Sequence, residues 1–306
     1  MTAITREGST SAAPKGCMVK KINYDDHSSI VAALEGQQVL IITMAVTAPR
    51  EQEGKLIKAA ADANVEFVLP NEWGSDPTRT ALVNETLLGP GRQKHREMVE
   101  EFGKSSWIAY CCGFWYEYSL GGGDKRYGFD MNNRKLTYFD DGTTRITTST
   151  WPQAALGVAR LLSLKVLPDD ENDKSKTLSS FKNNVCYVNS FLLNQQEMFE
   201  SVKRVTGTSD SDWTITHENS KERYEEGMKA MKGGDMRGFA QLLYTRYFYP
   251  SDAGNFSAKA NNELLGLPKE DLDAATKVAI GLAETGALDE ATKKDIKAGK
   301  HQLQST

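Results

Sequence analysis

Short apolar runs alternate with helix-period segments through the first third of the chain. Thr2–Thr5 reads as a strand, the polar Gly/Ser/Pro stretch from Gly8 to Gly16 as a loop, and Met18–Ile22 as a second strand. Asp25 and Asp26 cap a helix over His27–Leu34, where Ile30, Val31 and Leu34 recur at helical spacing. Val39–Met44 is an apolar run bounded by Gly36 and Pro49, the pattern of a strand buried on both faces. A helix over Glu51–Ala63, a strand at Glu66–Leu69, an amphipathic helix over Arg92–Phe102 and a buried strand at Trp107–Phe114 continue the alternation. Strand and helix in this order predict parallel βαβ units with helices covering the sheet.

Beyond residue 120 the pattern is less regular. Gly121–Gly123, Asp140–Gly142 and Pro168–Ser175 carry turn composition, and Tyr127–Ile146 reads as a hairpin. Val185–Val188 is a strand leading into a helix capped by Ser190 and ending near Gly207, with another strand at Trp213–Thr216. Helices follow at Ser220–Met231 and Arg237–Tyr247, and Lys269–Gly299 has helix-forming composition.

A length of 306 residues suits one large domain or two small ones. The formal charge of −4 offers no basic field for a nucleic-acid backbone. Cys17, Cys111, Cys112 and Cys186 lack metal-ligand or paired spacing and read as reduced thiols, so no metal site is expected. No stretch has the apolar length of a membrane span or the h-region of a secretory leader, which makes the cytoplasm the default location.

Three segments carry candidate chemistry. Thr5-Arg6-Glu7 follows a strand at the position where a dinucleotide fold meets the adenosine ribose. An acidic residue there suits a free 2′-hydroxyl and an arginine a 2′-phosphate, so Arg6 favours NADP; alone, such an arginine is a solvated charge. Pro70-Asn71-Glu72-Trp73-Gly74 lies at the end of a buried strand, where ligands of open parallel sheets bind, although Asn71 and Glu72 would equally stabilise a loop. Gly113-Phe114-Trp115-Tyr116-Glu117-Tyr118 places four aromatics where they would wall a pocket or pack a core. No tyrosine precedes a lysine by four residues, so the Tyr-xxx-Lys pair of ordinary short-chain dehydrogenases is missing. The cluster Arg92-Gln93-Lys94-His95-Arg96 is the local source of another acid, or else a solvated helix start. Gly121-Gly122-Gly123 has no strand-turn-helix setting and is not a phosphate loop.

In that order, Thr5-Arg6-Glu7, Asn23-Tyr24-Asp25, Pro70 to Asp76 and Gly113 to Glu117 resemble the NmrA-like and isoflavone reductase-like group of atypical short-chain dehydrogenases, with the fungal isoflavone reductase branch most similar. Ser149-Thr150-Trp151-Pro152 and Arg204-Val205-Thr206-Gly207 extend the resemblance over nearly the whole chain, most weakly after Lys269. It implies an NAD(P)-binding Rossmann-type parallel sheet at 1–150 and a smaller α/β substrate region at 151–306. The implied activity is NADP-dependent reduction of a small aromatic or secondary-metabolite substrate. On the same basis Arg6, Thr43, Met44, Ala45, Asn71 and Trp73 would line the cofactor, and Phe114, Trp115, Tyr116 and Tyr118 the substrate.

Two departures from the family pattern matter. Its catalytic lysine stands four residues before an arginine; that register puts Arg92 in its place, with Lys94 two residues away. Arginine stays protonated, so Arg92 would bind rather than titrate; either Lys94 substitutes as the acid or the chain is not a reductase of that type. The family also carries a strand, a Gly-x-x-Gly-x-x-Gly turn and a helix ahead of the Thr-Arg-Glu segment, whereas Met1 stands here at the second strand. The resemblance therefore implies an N-terminally incomplete sheet lacking its first strand and glycine-rich loop, weakened pyrophosphate binding, and either a gap between the strands at Thr2 and Val39 or a non-family pairing of the two. A non-catalytic NAD(P)-binding redox sensor with a protein partner, and an inactive truncated fragment, are the alternative readings.

Overall fold

The computed structural model describes residues 1–10, 12–45 and 48–288. Strands β1 (Thr2–Arg6) and β2 (Met18–Ile22) form a parallel pair, followed by α1 (His27–Leu34), β3 (Val39–Ile41), α2 (Arg50–Asp62) and β4 (Phe67–Leu69). Next come α3 (Thr80–Glu85), α4 (Gly89–Phe102), β5 (Ser106–Cys111), β6 (Phe114–Trp115) and α5 (Tyr116–Leu120). Strands β7 (Phe129–Asp130), β8 (Lys135–Phe139) and β9 (Ile146–Ser149) precede α6 (Trp151–Leu162), β10 (Asn184–Tyr187), β11 (Phe191–Leu193) and α7 (Gln195–Thr206). The described chain closes with β12 (Thr214–Glu218), α8 (Ser220–Lys232), α9 (Arg237–Tyr247) and α10 (Leu272–Glu284).

The central sheet is parallel, in the order β10-β5-β4-β3. Its outer strand β10 comes from beyond residue 150, so the sheet draws on both sides of the expected domain boundary. Alternation along β4 sorts the two faces: Val68 packs with Ile30, Leu34, Leu56, Ile57 and Val99 of α1, α2 and α4, while Phe67 and Leu69 pack with Ile108, Tyr110, Cys186 and Leu161 of α6. A three-residue strand this apolar is stable only because both faces are covered. Strands β1 and β2 share the first of these clusters through Ile4 and Ile22, yet no strand hydrogen bond joins β1 to β3. Between β1 and β2 the connection is a loop without a helix among the described residues.

Helix α1 forms where its cap is expected. The Asp26 side chain accepts from the Ser28 and Ser29 amides at the start of α1, and Asn219 does the same for α8. Three expectations are corrected. The apolar run from Trp107 does not continue as one strand to Phe114: β5 stops at Cys111, and the chain turns at Gly113 (φ 68°) into β6, which pairs with β9. Any Cβ on Gly113 would lie 2.2 Å from the Thr147 carbonyl oxygen, so this close approach requires glycine. Ser190 does not cap a helix; it precedes β11, and α7 is capped by Asn194 in a box with Glu197. The hairpin is confined to β7 and β8, while Ile146 starts β9 in a different sheet. The helix expected over Lys269–Gly299 is observed as α10, and the part beyond residue 288 lies outside the described residues.

The second core is aromatic. Tyr116, Tyr127, Phe129, Phe139, Phe199, Tyr244, Tyr247 and Phe248 are buried in one cluster between the sheets β11-β9-β6 and β12-β8-β7 and helices α5, α7, α9 and α10. No helix among the described residues is long and apolar enough to cross a membrane. All four cysteines are free, three of them buried.

Candidate functional site

The carboxyl ends of β3, β4 and β5 meet at the loop Pro70–Asp76. Pairing of β4 with β5 runs on into this loop through a bridge between Trp73 and Tyr110, and the Gly113 amide donates to the Gly74 carbonyl at 3.0 Å. Asn71 turns both ends of its side-chain amide to β3's continuation: Oδ1 accepts from the Met44 amide and Nδ2 donates to the Met44 carbonyl, both at 3.2 Å. The Trp73 indole donates to the Ile42 carbonyl at 2.8 Å. The structure therefore places Asn71 and Trp73 as ties that fix the strand end Thr43-Met44-Ala45, and it is that end, with Thr43 and Ala45 exposed, that is presented outward.

Helix α4 supplies the charge. Its residues 92, 95, 96 and 99 share one face by helical spacing, and that face meets the loop. Arg96 pairs with the buried Glu72, His95 Nδ1 lies 3.0 Å from Glu53 Oε2, and Glu53 Oε1 accepts from the Asn71 amide at 2.8 Å. Arg92 differs from these neighbours. Its guanidinium donates to Ser75 Oγ at 3.2 Å and has no carboxylate partner among the described residues. Lys94 is on the opposite face, exposed and without a partner among the described residues, so the structure does not bring it to Arg92.

The aromatic segment is divided between core and surface. Phe114 stacks on Tyr244 with centroids 4.1 Å apart, and the buried Tyr116 hydroxyl meets Thr276 at 2.8 Å, so both belong to the second core. Trp115 and Tyr118 join Trp151 in a three-ring group with centroids 6.2–6.5 Å apart, Trp115 and Trp151 each being more than a third exposed. Burial pushes the Cys112 thiol up to about 12, while a hydrogen bond with Trp115 and the Arg92 charge pull it down. Burial likewise raises the Tyr247 hydroxyl, with its bond to Ser75 and the Arg92 charge opposing.

Compared by sequence, the chain matches no family model and no curated protein. Solved structures do match it along most of its length. The pinoresinol-lariciresinol and phenylcoumaran benzylic ether reductase structures align at TM-score 0.68 with 17% identity, covering 90% of this chain and 89% of that one. The fold is that of the isoflavone reductase-like proteins. Isoflavone reductase itself aligns at TM-score 0.65 with 18% identity over 89% of this chain and 88% of that one. Triphenylmethane reductase from Citrobacter sp., solved with NADP(H), aligns at 0.60 with 15% identity over 87% and 84%. Within this isoflavone reductase-like fold, Arg6 ends β1, exposed and with no carboxylate partner among the described residues.

Sequence reasoning put His95 in the α4 cluster and missed three residues of the site. Glu53 was legible, because it lies in the first turn of α2, the helix that follows β3. Ser75 and Tyr247 were not: 172 residues separate them, and only the tertiary fold brings the Tyr247 hydroxyl to Ser75 Oγ at 2.6 Å.

Proposed function

We propose that the protein is an NADP-dependent reductase of a small aromatic substrate carrying an oxygen function. The observation that carries this reading is Arg92, a half-buried guanidinium left without a carboxylate at the carboxyl ends of parallel strands, where the flanking His95 and Arg96 each have one. A cation left unpaired in such a place is suited to an anionic or developing-anionic oxygen.

The residues present fit the two ends of the dinucleotide. Arg6 offers an unpaired guanidinium for a 2′-phosphate, and the outward strand end Thr43–Ala45, held by Asn71, offers main chain along the other end. When bound, the cofactor supplies a hydride. Arg92 would hold the oxygen of the acceptor, and Trp115 with Tyr118 and Trp151 would present ring faces to the rest of it. Arg92 keeps its proton, and Lys94 points away, which supports a second reading in which the dinucleotide is bound as a signal and nothing is turned over.

Titrating NADPH and NADH by fluorescence tests both readings. The expected result is a preference for NADPH that Arg6→Ala reduces about tenfold, the worth of one charge-assisted phosphate contact, while NADH binding is unchanged. Equal or no binding of the two cofactors by the wild type would remove the proposal. Oxidation of NADPH with an aromatic aldehyde or quinone separates reductase from sensor.

A further inference from the structure

Counting hydrogen bonds at Ser75 leaves one proton over. Its hydroxyl oxygen accepts from the Tyr247 hydroxyl at 2.6 Å and from Arg92 at 3.2 Å, which fills both acceptor positions. Ser75 is 6% exposed, and among the described residues its own O–H has no acceptor. Buried polar hydrogens are paired in almost all structures, so a donor left over between two other donors is an unusual arrangement. Tyr247 is itself fixed by its ring, which sits 4.5 Å from Phe114, and is 4% exposed. The neighbouring Asp76 is no acceptor for Ser75, because its oxygens are taken by Thr78, Tyr187 and Lys259.

We infer that Ser75 O–H and the Arg92 guanidinium form a two-donor oxyanion site, with Ser75 giving its proton to the substrate oxygen and Tyr247 replacing it. The inference rests on the reductase reading and names the acid that reading lacks. In the step, hydride from NADPH forms the new C–H bond and leaves NADP+. The carbonyl π pair moves to oxygen, the Ser75 proton forms the O–H bond, and the Tyr247 proton passes to Ser75. Solvent then returns one proton to Tyr247, so each turnover consumes one hydride and one proton. Ser75 is the catalytic residue; Tyr247, which does not touch the substrate, positions Ser75 through the hydrogen bond it donates and replaces the proton that Ser75 gives up. Both of its donors withdraw electron density from the Ser75 oxygen, which makes its proton more acidic than that of a free hydroxyl.

The site has a readout that needs no cofactor. 4-Nitrophenol changes absorbance when it ionises, and two donors converging on its oxygen favour the phenolate. Wild type should bind it as phenolate at a pH where the free probe is largely neutral. Ser75→Ala should shift the bound probe toward the neutral form and weaken binding roughly tenfold, Ser75→Thr should restore both, and Tyr247→Phe should leave affinity within about twofold. With NADPH and 4-nitrobenzaldehyde, Ser75→Ala and Tyr247→Phe should lower kcat on the order of a hundredfold with KM for aldehyde little changed for Tyr247→Phe. Melting curves in circular dichroism confirm that each variant is folded. A probe spectrum and affinity identical in wild type and Ser75→Ala overturns the oxyanion site, even if NADPH is oxidised. A phenolate signature lost in Ser75→Ala and restored in Ser75→Thr upholds it, even if no aldehyde is reduced, in which case the reductase reading fails by itself.

Discussion

Replacing Glu72 should be the most costly single change at the site loop. Its side chain is 2% exposed and pairs with Arg96, which is 15% exposed and lies 5.5 Å from the Trp107 ring. Removing one member of a buried pair costs about 3–5 kcal/mol, because the remaining charge stays desolvated. Arg96 retains some solvent and the Trp107 face, which puts Glu72→Ala near the lower limit, about 3 kcal/mol. Glu72→Gln keeps an acceptor and loses the charge, for a cost of about 1.5–3 kcal/mol. At roughly 2–4 °C per kcal/mol, Glu72→Ala should lower Tm by about 6–12 °C. Urea titrations and thermal melts of wild type, Glu72→Leu, Arg96→Met and the double variant measure the coupling. The double variant should be more stable than either single one, since two apolar groups leave no charge unpaired. Strict additivity, or a loss below about 1 kcal/mol in Glu72→Ala, would refute the assignment of this pair as the brace of the loop.

Two further changes test the frame around the site. Burial tends to raise the Asp76 carboxyl, and its bonds to Lys259, Thr78 and Tyr187 together outweigh this, so it titrates below its ordinary value. A depressed carboxyl contributes stability above the unfolded value of about 3.9 and loses it as pH falls through the folded one, so Asp76→Asn should destabilise at pH 7 with a deficit that shrinks below about pH 4. Urea titrations from pH 7 to 3 check this, and a deficit constant with pH would contradict it. A Cβ on Gly157 would lie 2.1 Å from the buried Tyr110 hydroxyl, so Gly157→Ala should cost about 1–3 kcal/mol despite better helix propensity, and adding Tyr110→Phe should recover much of that. A stabilised Gly157→Ala in urea would show that the ring gives way.

What the sequence discloses, and what it hides, follows from the range of the forces. Helix α1 was legible because its cap and apolar spacing are local, and β4 because a run such as Phe67-Val68-Leu69 has few other homes. The turn at Gly113 was hidden because it is imposed by Thr147, a partner 34 residues away. Lys94 looked like a replacement acid by proximity in sequence, although two residues along a helix is about 200° around it, so its exclusion from the site was available from the wheel alone. Asn71 and Trp73 stand where a cofactor-lining residue was expected, but their polar groups are spent on the main chain of Ile42 and Met44, a choice made by strand neighbours rather than by composition. For α7 the opposite holds: the box Asn194…Glu197 was written locally in the sequence, and Ser190 masked it by standing nearer the strand.

The separation of β1 from β3 bears on how the molecule tolerates crowding by its own kind. A parallel edge with free amides and carbonyls recruits main chain from a neighbour unless charge or proline guards it. Strand β2 carries Lys20 and Lys21, whereas β3 offers Val39, Leu40 and Ile41, the last of them 37% exposed, with no charged residue among them. Of these two strands, β3 is therefore the less guarded against intermolecular strand addition.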